Sequence, residues 1–569
     1  MLRKTLTLLF TFLLLSCSEK SALSSLELNG EKVPAFGKTA AACEASSDQN
    51  KGLSVFKFTD AQKEAFYSGE KFLSLLLRFR DEKNDSSFKA GFLYDEDFNK
   101  NGSVKKEISG RNIAEGSFSA AGAKEVTLSI TPDSLPEGFF ISTDGKIRIK
   151  KAGFTEQKKG WSRDYEGTPL FAFTKTGGNA DFSFTECTKD GAEDLIIRIA
   201  EKTVLPKIEI TLSESDRGTY KAQNRVFLKI GGETFSIRIP GKECVKVFHS
   251  DSLIGKTGDI TVTKNVQAVK SIFFKKEDKT LYDYKDAPLV PVKTDLGLIT
   301  DWNREKWRCL SYELFEWDMF PGILFFDFAD YNIQNLFLTR LAFFAEKEGY
   351  KGTLVSDYIV RTKHGYNAHD YKAEDLAAFF SLAQKTGFKL SEEELLLRKI
   401  LLHNRIIEEN GSGLFSPVRG SIISISRESS DSLRWQFVAH ESWHGIFFTD
   451  EGFRKEVKKL YDSFDESSME FIKIYWQYAP GLGYDINDSY LMQNEFMAYI
   501  MQQGLSNVQK YFLNLCERNT VKEKCPELGE YIKENGAIDF YNAGYELNDY
   551  AFDRWGLSAG RVSLVSRTD

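Results

Sequence analysis

Two histidines four residues apart, His440 and His444, stand in the segment HESWH, with Glu441 directly after the first. Only 6 of the 569 residues are histidine, so the pair concentrates a scarce residue type. On an α-helix, residues four apart project from one face, and two imidazole nitrogens there can bind one Zn²⁺. Glu441 would leave this helix about 100° round from His440, where a carboxylate can take a proton from activated water. The spacing predicts a metal-hydrolase centre.

The residues around this motif favour a helix. SLRWQFVAHESWHGIFF (432–448) contains no proline and is mostly apolar, and Ser430, Asp431 or Ser432 could cap its start. The preceding GSIISIS (420–426) has the pattern of a strand. This order resembles the zincin plan, in which an edge strand before the active-site helix lines the substrate groove. The alternative is a pair of core histidines on a helix that binds no metal.

A catalytic zinc with two protein ligands is incomplete, so the motif requires a third ligand. The metzincin pattern needs a glycine at 447 and a histidine at 450, and Phe447 and Asp450 exclude it. Asp450 could still supply a carboxylate oxygen. Glu495 is the other candidate, because DSYLMQNEFMAYIMQQG (488–504) predicts a second apolar helix that begins at an aspartate and ends at a glycine.

At these positions the C-terminal part of the chain resembles the gluzincin metallopeptidases, whose third zinc ligand is a glutamate on a downstream helix, often within N-E-x-x-A. The resemblance rests on His440, Glu441, His444, Asn494, Glu495 and Ala498. It implies one Zn²⁺ per chain, bound by His440, His444 and Glu495, with Glu441 as the general base in peptide-bond hydrolysis. Tyr499 stands where thermolysin-like enzymes carry an aspartate, and residues 445–494 form a longer spacer than theirs, so the resemblance extends to the clan only.

Hydrolysis of an amide also requires a hydrogen-bond donor for the tetrahedral oxyanion. Gluzincins often use a tyrosine or histidine for this purpose. Tyr484, in the glycine-containing PGLGYDIND (480–488), precedes the predicted Glu495 helix and is our candidate. Because the chain has 23 tyrosines, a purely structural role is the alternative.

Two other segments carry candidate residues. His364 and His369, with Asp370, stand in KHGYNAHDY and could form a second metal site or a substrate-binding loop. A polar surface loop is the simpler interpretation. Arg561 in WGLSAGRV could meet a substrate carboxylate, or it could be an ordinary surface arginine.

The N-terminal residues have the pattern of an export signal. Arg3 and Lys4 precede an apolar run over 6–15 that is too short to span a bilayer. The following Leu-Leu-Ser-Cys resembles a bacterial lipobox, which implies a signal over 1–17 and lipidation of Cys17. The alternative is a cleaved signal peptide with an incidental cysteine. Ser18 after the cysteine favours the outer membrane by the enteric sorting rule, so we expect a lipid-anchored, extracytoplasmic protein at the outer membrane or cell surface.

Charge and cysteine content exclude other classes of site and partner. The net charge of -7 argues against nucleic-acid binding, which requires a basic surface. The cysteines after Cys17 have no CxxC spacing, which argues against a cysteine metal site. Cys516 and Cys525 are close enough in sequence to close a local disulfide loop.

The first half of the chain has the period of β-strands. Residues 225–239 and 139–149 each alternate apolar and polar residues on both sides of a turn dipeptide, the pattern of a hairpin. FLSLLLRFR, LIIRI and DITVT predict further strands at 72–80, 195–199 and 259–263. Period-2 segments separated by turns are typical of β-sandwich modules.

Beyond the proline-containing KDAPLVPVKTD (285–295), which we interpret as a linker, the period becomes helical. Apolar stripes over 332–349, 372–387 and 391–411 predict helices. We therefore predict a multidomain chain. It comprises a signal at 1–17, β-sandwich-like modules at 18–165 and 166–287, and a mainly helical (α+β) zincin-like metallopeptidase domain at 288–569.

These observations favour an exported, lipid-anchored zinc metallopeptidase that acts on peptides or proteins. The alternative is a surface adhesin or interaction lipoprotein whose zincin-like domain is catalytically inactive. Glu441 argues against the alternative, because a decayed enzyme often loses its base first. An HExxH motif predicts activated-water chemistry and leaves the identity of the bond open.

Overall fold

The computed structural model describes residues 287–363 and 365–568 without a break. Cys17, with the rest of the predicted signal, and His364 lie outside the described residues. Of the earlier part of the chain the described residues are 25–28, 31–34, 53–64, 71–79, 86–101, 104–105, 113–118, 125–130, 132, 134–143, 147–156, 160–162, 168–173, 183–184, 194–197, 207–213, 225–230, 232–249, 260–275 and 279–283.

The strands of the described residues, in chain order, are β1 (Ser25–Leu28), β2 (Glu31–Pro34), β3 (Leu53–Lys57), β4 (Lys71–Phe79), β5 (Ser86–Leu93), β6 (Ile113–Phe118), β7 (Glu125–Ile130), β8 (Gly138–Thr143), β9 (Ile147–Glu156), β10 (Gly160–Ser162), β11 (Thr168–Phe173), β12 (Ser183–Phe184), β13 (Asp194–Ile197), β14 (Lys207–Leu212), β15 (Arg225–Ile230), β16 (Glu233–Arg238), β17 (Cys244–His249), β18 (Ile260–Thr263), β19 (Val269–Lys275), β20 (Val292–Thr294), β21 (Tyr312–Trp317), β22 (Ile323–Phe328), β23 (His369–Lys372), β24 (Ile407–Glu409), β25 (Phe415–Pro417), β26 (Ser421–Ser426) and β27 (Val565–Thr568).

The helices are α1 (Asp60–Glu64), α2 (Leu296–Ile299), α3 (Tyr331–Ala345), α4 (Asp357–Thr362), α5 (Ala373–Thr386), α6 (Glu392–His403), α7 (Asp431–Thr449), α8 (Glu451–Asp462), α9 (Glu466–Tyr478), α10 (Ser489–Met501), α11 (Leu505–Cys516), α12 (Asn519–Lys524), α13 (Pro526–Glu534) and α14 (Ile538–Trp555). Short 3₁₀ turns occur at Asp95–Asp97, Val266–Ala268, Lys279–Tyr282 and Arg304–Lys306. None of the helices in the described ranges has both the length and the apolar character needed to span a bilayer.

The chain divides into two compact units, each described here by itself. The first comprises 1–209, 227–233 and 255–275. It contains a seven-stranded sheet in the order β12-β11-β7-β4-β9-β1-β2 and a four-stranded sheet in the order β3-β8-β5-β6. Alternate residues of β4, Leu73, Leu75 and Leu77, are fully buried, as expected for a strand with one face against a core.

The second unit, comprising 210–226, 234–254 and 276–569, contains a five-stranded sheet in the order β20-β21-β22-β26-β23. Every residue of β22 and β26 is buried, because helices cover both faces. Ile423 packs on the side of α7 and α10, and the adjacent Ile422 packs on the side of α3, α5 and α6. This sheet therefore has a fixed register between two apolar layers.

The predicted distribution of sheets in the N-terminal and middle parts and helices in the C-terminal part is confirmed, as are strands on both sides of Gly231. The hairpin predicted at 139–149 is wrong. Its strands pair in different sheets, β8 with β3 and β5 and β9 with β1 and β4. Local alternation marks a strand but does not identify its partner.

Three further expectations of local structure are corrected. The helix predicted over 391–411 ends at His403, because Arg405 adopts a left-handed φ of 56° and β24 follows. Part of the expected linker is ordered, since Val292–Thr294 forms β20 in parallel with β21. The strand before the motif helix, β26, is internal, and the edge strand is β23.

A buried ion triad connects distant segments of the second unit. Lys246 Nζ on β17 lies 2.7 Å from Asp295 Oδ2 and 2.8 Å from Asp318 Oδ1, with all three side chains inaccessible to solvent. Asp295 also accepts hydrogen bonds from the backbone N–H groups of Gly297, Leu564 and Val565. One carboxylate thus fixes the start of α2 and the segment that leads into β27.

We predict that Lys246→Met strongly destabilises the second unit. The substitution leaves Asp295 and Asp318 buried without their cation, and loss of one partner from a buried ion pair costs about 3–5 kcal/mol. The measurement is the urea concentration at the unfolding midpoint, followed by circular dichroism. Lys455→Met is the matched control, because Lys455 pairs with Glu451 on the surface and both side chains are largely exposed. Equal midpoints for the two variants would contradict the assigned role of the triad.

Candidate metal centre

The two motif histidines and Glu495 meet where α7 packs against α10. His440 Nε2 lies 3.6 Å from Glu495 Oε2, and His444 Nε2 lies 3.8 Å from Glu495 Oε1. One ligand atom from each of the three residues lies within 4.8 Å of the others, so the group could hold a metal ion. Both histidines therefore present the same ring nitrogen to the same carboxylate.

The Nδ1 atom of His440 makes a separate contact that fixes its tautomer. It lies 3.2 Å from Gln502 Oε1, which also accepts a hydrogen bond from Gln436 Nε2 at 3.0 Å. Gln502 Nε2 donates to the Tyr499 carbonyl at 3.3 Å, which orients the amide. His440 Nδ1 therefore carries the proton and donates it, so the lone pair of Nε2 faces Glu495. Burial also lowers the pKa of His440 to about 4, so the ring is neutral at physiological pH.

His444 is fully buried, and its Nδ1 faces a carboxylate from the edge strand β23. Asp370 Oδ2 lies 3.7 Å from His444 Nδ1 and accepts a hydrogen bond of 3.4 Å from Asn494 Nδ2. Asp370, Glu441 and His444 form a second group that could hold a metal ion, and His444 belongs to both groups. Asn494 thus positions Asp370 while the next residue, Glu495, faces the histidines.

Tyr499, at the position where thermolysin-like enzymes carry an aspartate, contacts the centre through its ring. The Tyr499 ring packs edge-on against His440, with centroids 5.1 Å apart and an interplanar angle of 83°. Gln502 and Asp370 are the residues placed to orient the histidines. The orienting groups therefore come from positions that the resemblance did not indicate.

Four carboxyl groups crowd this centre, on Glu346, Asp370, Glu441 and Glu495. Burial raises the pKa of Glu495 to about 8, although the charge of His444 and a hydrogen bond from Tyr484 act in the opposite direction. Burial, followed by the charges of Asp370, Glu495 and Glu346, raises the pKa of Glu441 well above its usual value. Without a cation Glu441 and Glu495 resist ionisation, because burial and the neighbouring negative charges disfavour their charged forms.

Several polar atoms of the centre are buried and make no hydrogen bond within the described part of the chain. They are Glu441 Oε2, Glu495 Oε2 and both ring nitrogens of His444. Leaving a buried polar group unpaired costs about 1–3 kcal/mol, and more for a charged group. Clustered unpaired atoms of metal-ligating type are what a cation site requires.

A cavity of about 370 Å³ opens onto His440 and Glu441. Its wall includes Glu346, Tyr366 and Tyr484. The ring centroids of the two tyrosines lie 5.7 Å apart, and the Tyr484 hydroxyl donates a hydrogen bond to Glu495. The Tyr366 hydroxyl is buried and has no hydrogen-bond partner among the described residues. Tyr366 therefore has a hydroxyl donor at this cavity that no described residue accepts.

Other predicted residues lie away from this group. Asp450 caps α8 by accepting from Phe453 N at 2.8 Å and belongs to neither candidate metal group of the described residues. His369 Nδ1 is hydrogen-bonded to the Tyr371 hydroxyl at 2.7 Å and likewise belongs to neither group. Of the two candidates for the third ligand, the structure brings Glu495 to the histidines.

The disulfide considered between Cys516 and Cys525 is absent from the structure. Both cysteines are free and buried. Cys516 Sγ donates to the Phe512 carbonyl at 3.4 Å within its own helix. Burial raises the pKa of both thiols, so they remain protonated and pack as small apolar side chains.

The sequence analysis did not identify Tyr366, Gln502 or Glu346 as residues of the centre. It placed Asp370 only in a possible second metal site or substrate-binding loop. Tyr366 and Asp370 stand in KHGYNAHDY, which drew attention through its histidines and not through these residues. Gln502 follows Glu495 by seven residues, two helical turns, which places both on one helix face. The seven-residue spacing could therefore have indicated from the sequence that Gln502 lies near Glu495. Glu346 directly follows α3, and no pattern in the sequence indicated that it lies at the centre.

Comparison with models of known protein families finds no match to this chain, and a comparison with curated protein sequences also finds none. The geometry of the centre is therefore the basis for a functional proposal.

We predict that Gln502→Ala weakens metal binding about 10- to 100-fold, because residues that orient a metal-binding histidine contribute that much to affinity. Affinity is measured by competition for Zn²⁺ with a chromophoric chelator. Gln503→Ala is the control, since Gln503 also donates to the Tyr499 carbonyl and does not contact His440. Equal Zn²⁺ affinities of the two variants would show that Gln502 does not orient a metal-binding histidine.

Proposed function

We propose that this protein is a zinc-dependent metallopeptidase with a gluzincin-type centre, built from His440, His444 and Glu495 with Glu441 as the general base. One observation carries the proposal. The Nε2 atoms of both motif histidines converge on the Glu495 carboxylate, and the unpaired Glu441 Oε2 is buried beside them. The arrangement unites two ligand types of zinc with a proton acceptor.

The distances fit Zn²⁺. Ligand atoms at 2.0–2.2 Å in a tetrahedral arrangement lie about 3.4 Å apart. The observed separations of 3.6 Å from His440 Nε2 to Glu495 Oε2 and 3.8 Å from His444 Nε2 to Glu495 Oε1 are close to this value, and one ligand atom from each of the three residues lies within 4.8 Å of the others. The group of Asp370, Glu441 and His444 offers a single nitrogen ligand. A metal ion bound there would coordinate Glu441, which could then no longer act as the general base. We therefore favour the first group for one Zn²⁺ per chain.

When bound, Zn²⁺ supplies Lewis-acid chemistry that activates water and polarises a carbonyl group. Glu441 accepts a proton from water as the water oxygen forms a bond to the carbonyl carbon. The carbon–nitrogen bond then breaks, and Glu441 returns that proton to the departing amine. Burial, followed by the negative charge of Asp370, keeps the pKa of Glu441 high, which makes its carboxylate a stronger base.

The oxyanion formed during this attack needs a donor within the cavity. Tyr366 fits this role better than Tyr484, because the Tyr484 hydroxyl donates to Glu495 and the Tyr366 hydroxyl is unpartnered. The Lys347 ammonium lies 3.6 Å above the centre of the Tyr366 ring and also donates to the carbonyl groups of Gly481 and Leu482. Lys347 thus holds Tyr366 and the loop before Tyr484 at the cavity.

We further propose a peptide or protein substrate and attachment to the membrane through a lipid on Cys17. The first follows from the commonest use of the motif and the second from the lipobox-like Leu-Leu-Ser-Cys. An inactive domain that binds a partner is the alternative. The buried Glu441 Oε2, which has no hydrogen-bond partner among the described residues, favours catalysis, because a site without selection for a base has no reason to retain this costly group.

We predict that Glu441→Gln lowers kcat/KM for peptides about 10²- to 10⁴-fold, the usual contribution of a general base. Zinc content should not change, because Glu441 is not a ligand. The test uses residues 18–569, without the proposed lipidated cysteine, and compares cleavage of a peptide library by the wild-type sequence, by Glu441→Gln and by the exposed control Glu534→Gln. Bound zinc without peptide cleavage by the wild type would contradict the proposed peptidase activity and favour the alternative, an inactive domain that binds a partner.

A further inference from the structure

A second cavity lies on the opposite side of the motif helix. It has a volume of about 320 Å³. Trp435, Val438 and Ala439 line it from α7, and at 100° per residue they project from the face opposite to His440 and His444. The remaining lining residues are Leu296, Gly560, Arg561, Val562, Ser563 and Ser566. This cavity is separate from the candidate metal centre.

Arg561 is the charged residue in the lining of this cavity. Its side chain is half-buried and donates to Ser566 Oγ at 3.0 Å. A guanidinium has five N–H donors, so this hydrogen bond leaves most of them for other partners. Within the described ranges, no carboxylate lies within ion-pair distance of Arg561. The carboxylate that acts on it electrostatically, Asp295, is paired with Lys246 and with backbone N–H groups.

Two further guanidinium groups interact electrostatically with this group of residues: Arg225 acts on Arg561, and Arg561 acts on Arg238. The charges of Arg561 and Arg225, together with burial as the largest cause, lower the pKa of Arg238 to about 10. Among the described residues, the Arg238 side chain donates to two neutral acceptors, the Gly556 carbonyl and Ser558 Oγ. Repulsion between partly buried guanidinium groups is unfavourable, and an anion at Arg561 would reduce it.

Apart from Ser563 and Ser566, the other side chains that line the cavity are apolar, and the segment that carries Arg561 is anchored. Trp435 is 46% exposed, an unusual exposure for a tryptophan, and stands beside Val438 and Leu296. The segment that carries Arg561 leads into Leu564 and Val565, whose backbone N–H groups donate to the buried Asp295. A ligand would therefore enter a largely preformed site and would order few groups on binding.

We propose that this second cavity binds an organic carboxylate with an apolar body. The Arg561 guanidinium pairs with the two carboxylate oxygens, a geometry that its planar fork matches, and the apolar body lies against Trp435 and Val438. A peptide C-terminus and a small aromatic acid share this chemistry. The site does not depend on the proposed peptidase function.

Binding is measured by isothermal titration calorimetry on the full chain with N-acetylphenylalanine as the probe. A metal chelator is present throughout, so that binding of the probe carboxylate to a metal ion does not contribute to the measured heat. N-acetylphenylalaninamide has the same apolar body without the charge, and we expect it to bind at least about tenfold more weakly. A peptide that ends in phenylalanine and its C-terminal amide distinguish a peptide C-terminus from a free acid.

Arg561→Gln should reduce affinity for the acid at least about tenfold, because a hydrogen-bonded charge pair is lost. Arg361→Gln is the control, since Arg361 is an exposed arginine outside the cavity lining. Should Arg561→Gln fail to fold, Trp435→Ala at an exposed position should weaken the acid and the amide alike. Equal binding of acid and amide, unchanged binding by Arg561→Gln, or tighter binding of phenyl phosphate than of the acid would overturn the proposal.

Discussion

Four carboxyl groups and two imidazole rings share one buried region, and this concentration of ligand atoms constrains the rest of the site. Asp370, Glu441 and Glu495 are all buried, which makes each uncompensated negative charge costly. Raised pKa values and unpaired oxygen and nitrogen atoms follow from this burial. A divalent cation would satisfy these atoms together, and its charge would allow Glu495 and Glu441 to ionise. The same burial makes Glu441 a stronger base.

The scaffold brings to this region groups from distant parts of the sequence. α7 supplies both histidines and Glu441, α10 supplies Glu495 and Asn494, and the edge strand β23 supplies Asp370. β23 pairs with β26 in a fixed register, with Asp370 opposite Ile423, so the position of Asp370 follows from the sheet. The fully buried strands β22 and β26 hold that register. The orienting contacts of the two histidines thus depend on the sheet as well as on the two helices.

The sequence was sufficient for features that local pattern determines. The proline-free and mostly apolar segment 432–448 predicted α7, and the common face of His440 and His444 followed from their spacing. Asp370 and Tyr366 could not be assigned in this way, because tertiary pairing of β23 brings them to the centre. The same limit explains the internal position of β26 and the wrong hairpin at 139–149, since strand order is not encoded in alternation. Zinc, peptide hydrolysis and the lipid anchor remain proposals.

Metal stoichiometry decides whether Glu495 completes a metal site with the motif histidines. Zinc per chain is measured by inductively coupled plasma mass spectrometry after dialysis, for the wild type, Glu495→Ala and Asp450→Ala. We expect one zinc per chain in the wild type and in Asp450→Ala, and loss of zinc from Glu495→Ala. Retention of zinc by Glu495→Ala, together with its loss from Asp450→Ala, would show that Asp450 and not Glu495 is the third ligand.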